Sequence, residues 1–328
     1  MIDIKGYHHL TACVAGAQED VDFYVRILGQ CLVKKTILLD GTKPIYHLYY
    51  GNPTGDPGTI VTSFPYRQKG VKGRRGSGQI KTINYSVPKD SLGFWRDRFA
   101  RYGITQADAL LERFGQQRLR FTHPSGFELE LVANDDDRRT PWTTPEIPTE
   151  AAIRGVHSVT CSLRDIDESV LFMSDAMNFQ HLQRSGPHYQ FALGAGGGPG
   201  QVIEFLHEPD LPQGSSIYGE GTVHHVAFAV DNVAQQLVLR EHLMSLGYID
   251  VSDSVDRNYF RSMYFRMPGG VIFEAATTDI GLTKDEPVER LGREFQLPPW
   301  LVERRDELLH ELEPIEVPRG AGSLRMSA

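Results

Sequence analysis

Four short segments of this chain align with one another: YHHLTACV (7–14), IKTINYSV (80–87), VHSVTCSL (156–163) and VHHVAFAV (223–230). Each reads as a strand that opens a unit, and the openers start 73, 76 and 67 residues apart. Four later segments align as closers, each with a Pro or Gly turn leading into an apolar strand: PGTIVTSF (57–64), PSGFELELV (124–132), PGQVIEFL (199–206) and PGGVIFEAA (268–276). Such self-similarity restricts the architecture more than any local propensity does. A unit of roughly 50 to 75 residues exposes a sheet face that it cannot bury alone, so the units must pair.

Between opener and closer each unit carries helical periodicity: Val21, Tyr24, Val25 and Leu28; Leu92, Trp95 and Phe99; Ile166, Val170, Met173 and Met177; Val233, Leu237 and Val238. Asp90 and Asp231 stand where an N-cap would be useful. Stretches such as PIYHLYY (44–50) and YFRSMYFRM (259–267) then read as the second and third strands, which makes each unit strand, helix, three strands. The run Asp135, Asp136, Asp137, Arg138, Arg139, followed by Pro141, Pro145 and Pro148, reads as a solvated linker. The expected organisation is an N-terminal pair of units over 1–135, a linker over 136–153, a C-terminal pair over 154–279 and a tail over 280–328. The tail segment LPPWLVERRDELLHEL (297–312) predicts a short amphipathic helix covering an edge or a mouth.

Four such units in two pairs resemble the vicinal oxygen chelate superfamily, an α+β fold of the glyoxalase and bleomycin-resistance type. The resemblance covers about 1–279 and implies four βαβββ units forming two open barrels, with a metal at a barrel centre.

Aligned openers place His9, Thr82, Ser158 and His225 at one position, and aligned closers place Thr62, Glu130, Glu204 and Glu274 at another. Units one and four together supply His9, His225 and Glu274, with Thr62 as a fourth, non-ligating residue. Two imidazoles and a carboxylate make the facial triad of non-haem Fe(II), which leaves positions open for substrate and dioxygen. Glu274 also stands in an otherwise apolar strand, which is costly unless the carboxylate is paired or bound to a cation. Units two and three supply no imidazole at these positions, so their barrel should be metal-free, with Glu130 and Glu204 paired to local cations or exposed. The ligand logic pairs unit one with unit four; the alternative pairs units three and four, with His9 reaching in from outside. Side chains alternate along a regular strand, which would turn His8 and His224 away from His9 and His225 and keep Thr11 on the face of His9.

Composition excludes several classes. The 42 acidic against 34 basic residues give a net charge of -8, with no footprint for nucleic acid. No stretch reaches 18 apolar residues and Asp3 and Lys5 interrupt the start, so neither a membrane span nor a secretory signal is expected and the cytoplasm is the default. Cys13, Cys31 and Cys161 show no CxxC and read as reduced. The glycine-rich GAGGGPG (194–200) lacks the third Gly of a dinucleotide fingerprint and leads into a strand.

The pocket segments narrow the resemblance to the Fe(II)-dependent hydroquinone and chlorohydroquinone 1,2-dioxygenases. It runs through HHLTAC (8–13), DGTKPIYHLYYG (40–51), PGTIVTSFP (57–65), RFGQQR (113–118), IEFLHEPD (203–210), EGTVHHVAFAV (220–230), YFRSMYFRMPGGVIFEA (259–275) and LGREFQLPPW (291–300). The resemblance implies Fe(II) held by His9, His225 and Glu274, with His8, Thr11, His224, Arg257 and Tyr264 around substrate. Tyr264 and Arg257 would stabilise the substrate oxygen, His224 would move a proton, and His8 and Thr11 would orient the pocket. The implied partners are a small aromatic diol and O2, and the implied products 4-hydroxymuconic semialdehyde or a chloromaleylacetate. Two other readings are a glyoxalase-like isomerase or lyase, against which Thr62 argues, and a non-catalytic binding module. A homo-oligomer, dimer or larger, is expected.

Overall fold

The computed structural model describes residues 3–38, 44–194 and 196–318, apart from the side chain of Gln68. Residues 40–43 of the DGTKPIYHLYYG segment, Ala195 of the glycine-rich run and 319–328 of the tail lie outside them. Unit one is β1 (Tyr7–Val14), α1 (Ala17–Val21) continued by a π-helical turn over Asp22–Ile27, β2 (Cys31–Leu38), β3 (Ile45–Gly51) and β4 (Ile60–Pro65). Unit two is β5 (Gln79–Val87), α2 (Leu92–Arg101), β6 (Leu111–Arg113), β7 (Gln116–Thr122) and β8 (Glu128–Ala133). Unit three is β9 (Gly155–Leu163), α3 (Asp167–Asp175), β10 (Phe179–Ser185), β11 (His188–Leu193) and β12 (Val202–His207). Unit four is β13 (Thr222–Val230), α4 (Val233–Ser245), β14 (Val255–Asp256), β15 (Arg261–Arg266) and β16 (Ile272–Thr277).

The openers pair antiparallel across units, β1 with β13 and β5 with β9. Unit one therefore shares a barrel with unit four and unit two with unit three, as the ligand logic required. The rung Val223↔Ile80 joins the two barrels into one continuous sheet. Each closer lies parallel to its own opener in one repeated register: Thr11↔Thr62, Asn84↔Glu130, Thr160↔Glu204 and Ala227↔Glu274. The repeat thus delivers the closer side chain to the same rung in all four units.

The helices cover the outer sheet faces, and α2 buries Leu92, Trp95 and Phe99 as its periodicity predicts. Two local expectations fail. Asp231 does not cap α4; the next residue, Asn232, does, accepting from the Gln235 N–H at 3.2 Å, and Asp90 caps nothing because a 3-10 turn precedes α2. The buried face of α4 is Gln236, Leu239 and Leu243, while Leu237 and Val238 are exposed. Gln236 belongs inside because its amide donates to Arg261 O and Ala275 O and accepts from Ser254, so a polar residue satisfies buried carbonyls that an apolar one would orphan. The tail forms a 3-10 segment over Pro299–Arg304 and α5 (Arg305–Glu311), burying Leu301, Leu308 and Leu312.

Candidate metal centre

His9 comes from β1, His225 from β13 and Glu274 from β16, and one ligand atom from each lies within 4.8 Å of the others. His9 Nε2 and His225 Nε2 are 3.3 Å apart, and Glu274 Oε2 is 2.9 Å from His225 Nε2 and 3.7 Å from His9 Nε2. All three side chains are buried. Burial lowers His225 to about 3, with Arg257 adding to the effect. Burial also holds His9 well below the usual histidine range, against the pull of Glu274. Both rings are therefore neutral and present a lone pair, which is the ligating form. Glu274 Oε1 accepts from Ser262 Oγ at 2.5 Å, whereas Oε2 has no hydrogen-bond partner although His225 Nε2 lies 2.9 Å away. An orphaned buried carboxylate oxygen facing two neutral imidazole nitrogens is what a divalent cation would satisfy. The residues present fit a metal.

Strand alternation had turned His8 and His224 away from this centre. In the β1–β13 ladder, however, the register jumps from Tyr7↔Phe228 to His9↔Ala227 and from Thr11↔His225 to Ala12↔Val223. The extra residues are His8 and His224, each at a β-bulge, which re-aims a side chain. His8 Nδ1 lies 2.9 Å from His9 Nδ1, and His224 Nδ1 lies 2.8 Å from His225 Nδ1. A ligand Nε2 with a free lone pair carries its proton on Nδ1, so His9 and His225 each donate to the preceding histidine. This outer hydrogen bond fixes tautomer and ring orientation. Thr11 Oγ1 is 2.9 Å from His225 Nε2 and 2.8 Å from Thr62 Oγ1.

The two histidines of the triad, His9 and His225, line a cavity of about 590 Å³, within the range of small-molecule sites, and Glu274 is fully buried beside them. Arg257 and Tyr264 are in its wall, with Arg257 Nη2 donating to Tyr264 Oη at 3.4 Å. Arg257 is presented by a tight turn: its N–H donates to Phe260 O, and Asn258 follows at φ +71°, a left-handed conformation asparagine tolerates. Burial and Glu274 push the Tyr264 hydroxyl above its usual range, while Arg257 offsets part of this, so Tyr264 keeps its proton and donates.

Residues 155–275 match the model of the Glyoxalase/Bleomycin resistance protein/Dioxygenase superfamily. The chlorohydroquinone/hydroquinone 1,2-dioxygenase of Sphingobium indicum is 42% identical over 317 residues, 96% of this chain and 98% of that protein. This chain belongs to the ring-cleaving dioxygenase family. A further relative, MhqO of Bacillus subtilis, provisionally named a ring-cleaving dioxygenase, is 35% identical over 95% of this chain and 97% of its own length. A crystal structure from Bacillus subtilis, provisionally assigned as a dioxygenase, superposes with a TM-score of 0.89 at 34% identity, covering 97% of this chain and 99% of that one. Glyoxalase I from Zea mays, at 15% identity and a TM-score of 0.58 over 83% of this chain and 92% of its own, shares the fold alone.

The dioxygenase pocket also contains residues that sequence reasoning missed. His47 Nε2 is 3.0 Å from Thr62 Oγ1, and Tyr49 Oη is 3.1 Å from His47 Nδ1, so Thr11, Thr62, His47 and Tyr49 form a hydrogen-bonded chain ending in the cavity wall. Register offered a signal for one of them: Tyr49 faces Thr62 as Tyr264 faces Glu274. The equivalent centre of the second barrel contains guanidinium groups. Glu204 and Glu130 are buried there, with Arg118 2.7 Å from Glu204 and 3.2 Å from Glu130, and Arg113 2.5 Å from Glu130. Pairing with local cations, rather than exposure, accounts for both carboxylates.

Proposed function

We propose that this chain is an Fe(II)-dependent ring-cleaving dioxygenase that opens a para-hydroquinone, chlorinated or not, by 1,2-cleavage. The observation that supports it most is the convergence of His9 Nε2, His225 Nε2 and Glu274 Oε2, with both histidines in the wall of a cavity that Arg257 and Tyr264 also line. Three protein ligands leave positions open for substrate and dioxygen, and iron in this site would supply the redox step that a closed-shell quinol and dioxygen need.

The protein's part is orientation and proton management. A para-diol presents one hydroxyl to the centre, so its angle must come from side chains. Tyr264, held protonated, donates to the substrate oxygen, and Arg257 places positive charge where phenolate character develops. When His225 Nε2 is engaged as a ligand, the Thr11 hydroxyl turns its proton to Thr62, Thr62 donates to His47 Nε2, and His47 Nδ1–H donates to Tyr49. Tyr49 is then left with its own O–H for the cavity. His224 Nδ1 accepts from His225, and its ring borders the cavity, where it can pass a proton to or from the opening ring. The position of His8 beside His9 supports an orienting role.

Oxygen uptake by anaerobically iron-loaded protein on hydroquinone, chlorohydroquinone, 2,6-dichlorohydroquinone, methylhydroquinone and catechol tests the reading. Para-diols should exceed catechol at least about tenfold in kcat/KM; a catechol preference would overturn the substrate assignment. A cytoplasmic, homo-oligomeric enzyme belongs to the same reading. Its supports are three unbridged cysteines and the apolar residues Leu237, Val238 and Met244 exposed on α4; light scattering showing a monomer would remove the second part. No described helix is long and apolar enough to cross a membrane.

A further inference from the structure

The cavity is much larger than the diol ring proposed to react in it. A cavity of about 150 Å³ accommodates benzene, whereas this one measures about 590 Å³. The surplus has a direction. Residue exposure rises from His9 and His225 at the inner end, 2% and 3% exposed, to a rim where Trp300 is 59% and Ile249 81% exposed. The wall is mixed, with an apolar part contributed by Ile37, Phe64, Phe265, Ile272 and Leu301. Trp300 and Ile249 are large apolar side chains at the mouth of a site, where a bound apolar group would remove them from water.

The charged groups of this outer wall each have an opposite charge nearby. Arg266 lies 4.0 Å from Asp250, and Asp256 lies 3.6 Å from Arg261. Arg257, deeper in, is engaged with Tyr264. The charges of opposite sign offset one another, so the wall offers a charged extension on the substrate no counter-ion of its own, while its apolar part suits an uncharged group.

We infer that the outer chamber receives a bulky apolar substituent, an alkyl or aryl group about as large as the ring itself, on the diol whose cleavage is proposed above. The inference rests on that reading and narrows its substrate class. The diol ring sits against the triad, and the substituent runs outward under Trp300 and Ile249, removing from water both itself and the rim.

Steady-state oxygen uptake with hydroquinone, methylhydroquinone, tert-butylhydroquinone and phenylhydroquinone tests it. Burying a group of phenyl size raises the specificity constant about ten- to a hundredfold, so kcat/KM should climb along the series, chiefly through KM. Trp300→Ala, a change at an exposed position, should lower the phenylhydroquinone to hydroquinone ratio at least about threefold. If phenylhydroquinone is used no better than hydroquinone while hydroquinone is consumed, the chamber assignment falls and ring cleavage stands. An unchanged ratio in Trp300→Ala would remove the rim from the substrate site. If no diol drives oxygen uptake, the ring-cleavage reading fails and this inference fails with it.

Discussion

Replacing Arg118 by Met tests whether the second barrel is held by a guanidinium where the first is built for a metal. Arg118 is fully buried and bridges Glu204 and Glu130. Burial alone would push the Glu204 carboxyl up; Arg118 and then Arg113 outweigh it and hold the group at about 2 instead of 4.5. At about 1.4 kcal/mol per pH unit, that depression corresponds to about 3 kcal/mol of folding stability. Arg113 contributes to that depression as well, and the cost of truncating one partner of a buried pair, typically about 3 to 5 kcal/mol, sets the expected loss. With an unfolding entropy of about 2.1 cal/mol/K per residue, the 328 residues give roughly 0.7 kcal/mol/K, and Tm should drop by about 4 to 7 °C. The folded pKa of Glu204 lies below the unfolded one. Its contribution is therefore complete above about pH 4.5 and fades as pH falls towards 2, so the gap between wild type and Arg118→Met should shrink over that window. The assay is thermal unfolding by circular dichroism at a fixed scan rate from pH 7 to pH 3, with iron content measured in parallel. A Tm within 1 °C of wild type at pH 7 would refute the energetic argument. Loss of iron from the variant would refute the independence of the two centres.

Other expectations concern the first barrel. Glu274→Ala should lose bound iron and oxygen uptake together, as metal analysis would show; full iron occupancy would remove Glu274 from the ligand set. His8→Phe and His224→Phe should each weaken metal affinity about 10- to 100-fold, read by anaerobic titration, because each deletes the acceptor that fixes a ligand tautomer. Tyr264→Phe should retain iron and lose about one to two decades of quinol turnover, the cost of about 1 to 3 kcal/mol for an unpaired buried group, with Arg257→Ala more severe. Tyr49→Phe should retain iron and raise KM for para-diols more than for catechol; an unchanged KM would take the Thr62–His47–Tyr49 chain out of substrate orientation.

The repeat made the architecture legible, because its offsets carry register information that a single strand lacks. Equivalent closer positions proved to be equivalent rungs, so the triad followed from alignment alone. Alternation misled at His8 and His224, since a bulge breaks the period of two, and the bulge cannot be read from residue types. The other barrel shows that it belongs to the repeat: Lys81 and His157, at the same opener position, are the extra residues in the β5–β9 ladder. His47 and Tyr49 were hidden because one histidine in an aromatic strand looks like packing until its neighbours across the barrel are known. For Glu130 and Glu204 a clue lay in RFGQQR, whose terminal residues Arg113 and Arg118 both reach them, but only β6 folding back on β7 brings the two together.

The pairing of the first opener with the last has a consequence during synthesis. His9 and His225 are 216 residues apart in the chain, and at about 5 to 20 residues per second β1 leaves the ribosome roughly 10 to 40 s before its partner strand. Units two and three can assemble first, neutralising their own buried charge with arginines they encode themselves. Throughout that interval β1 has an unpaired edge and carries one of the three candidate ligands, a state open to mispairing with other strands and short of a complete metal site. The candidate metal site is thus completed only once β13 and β16 have joined β1, so its assembly reports that the first and fourth units have paired.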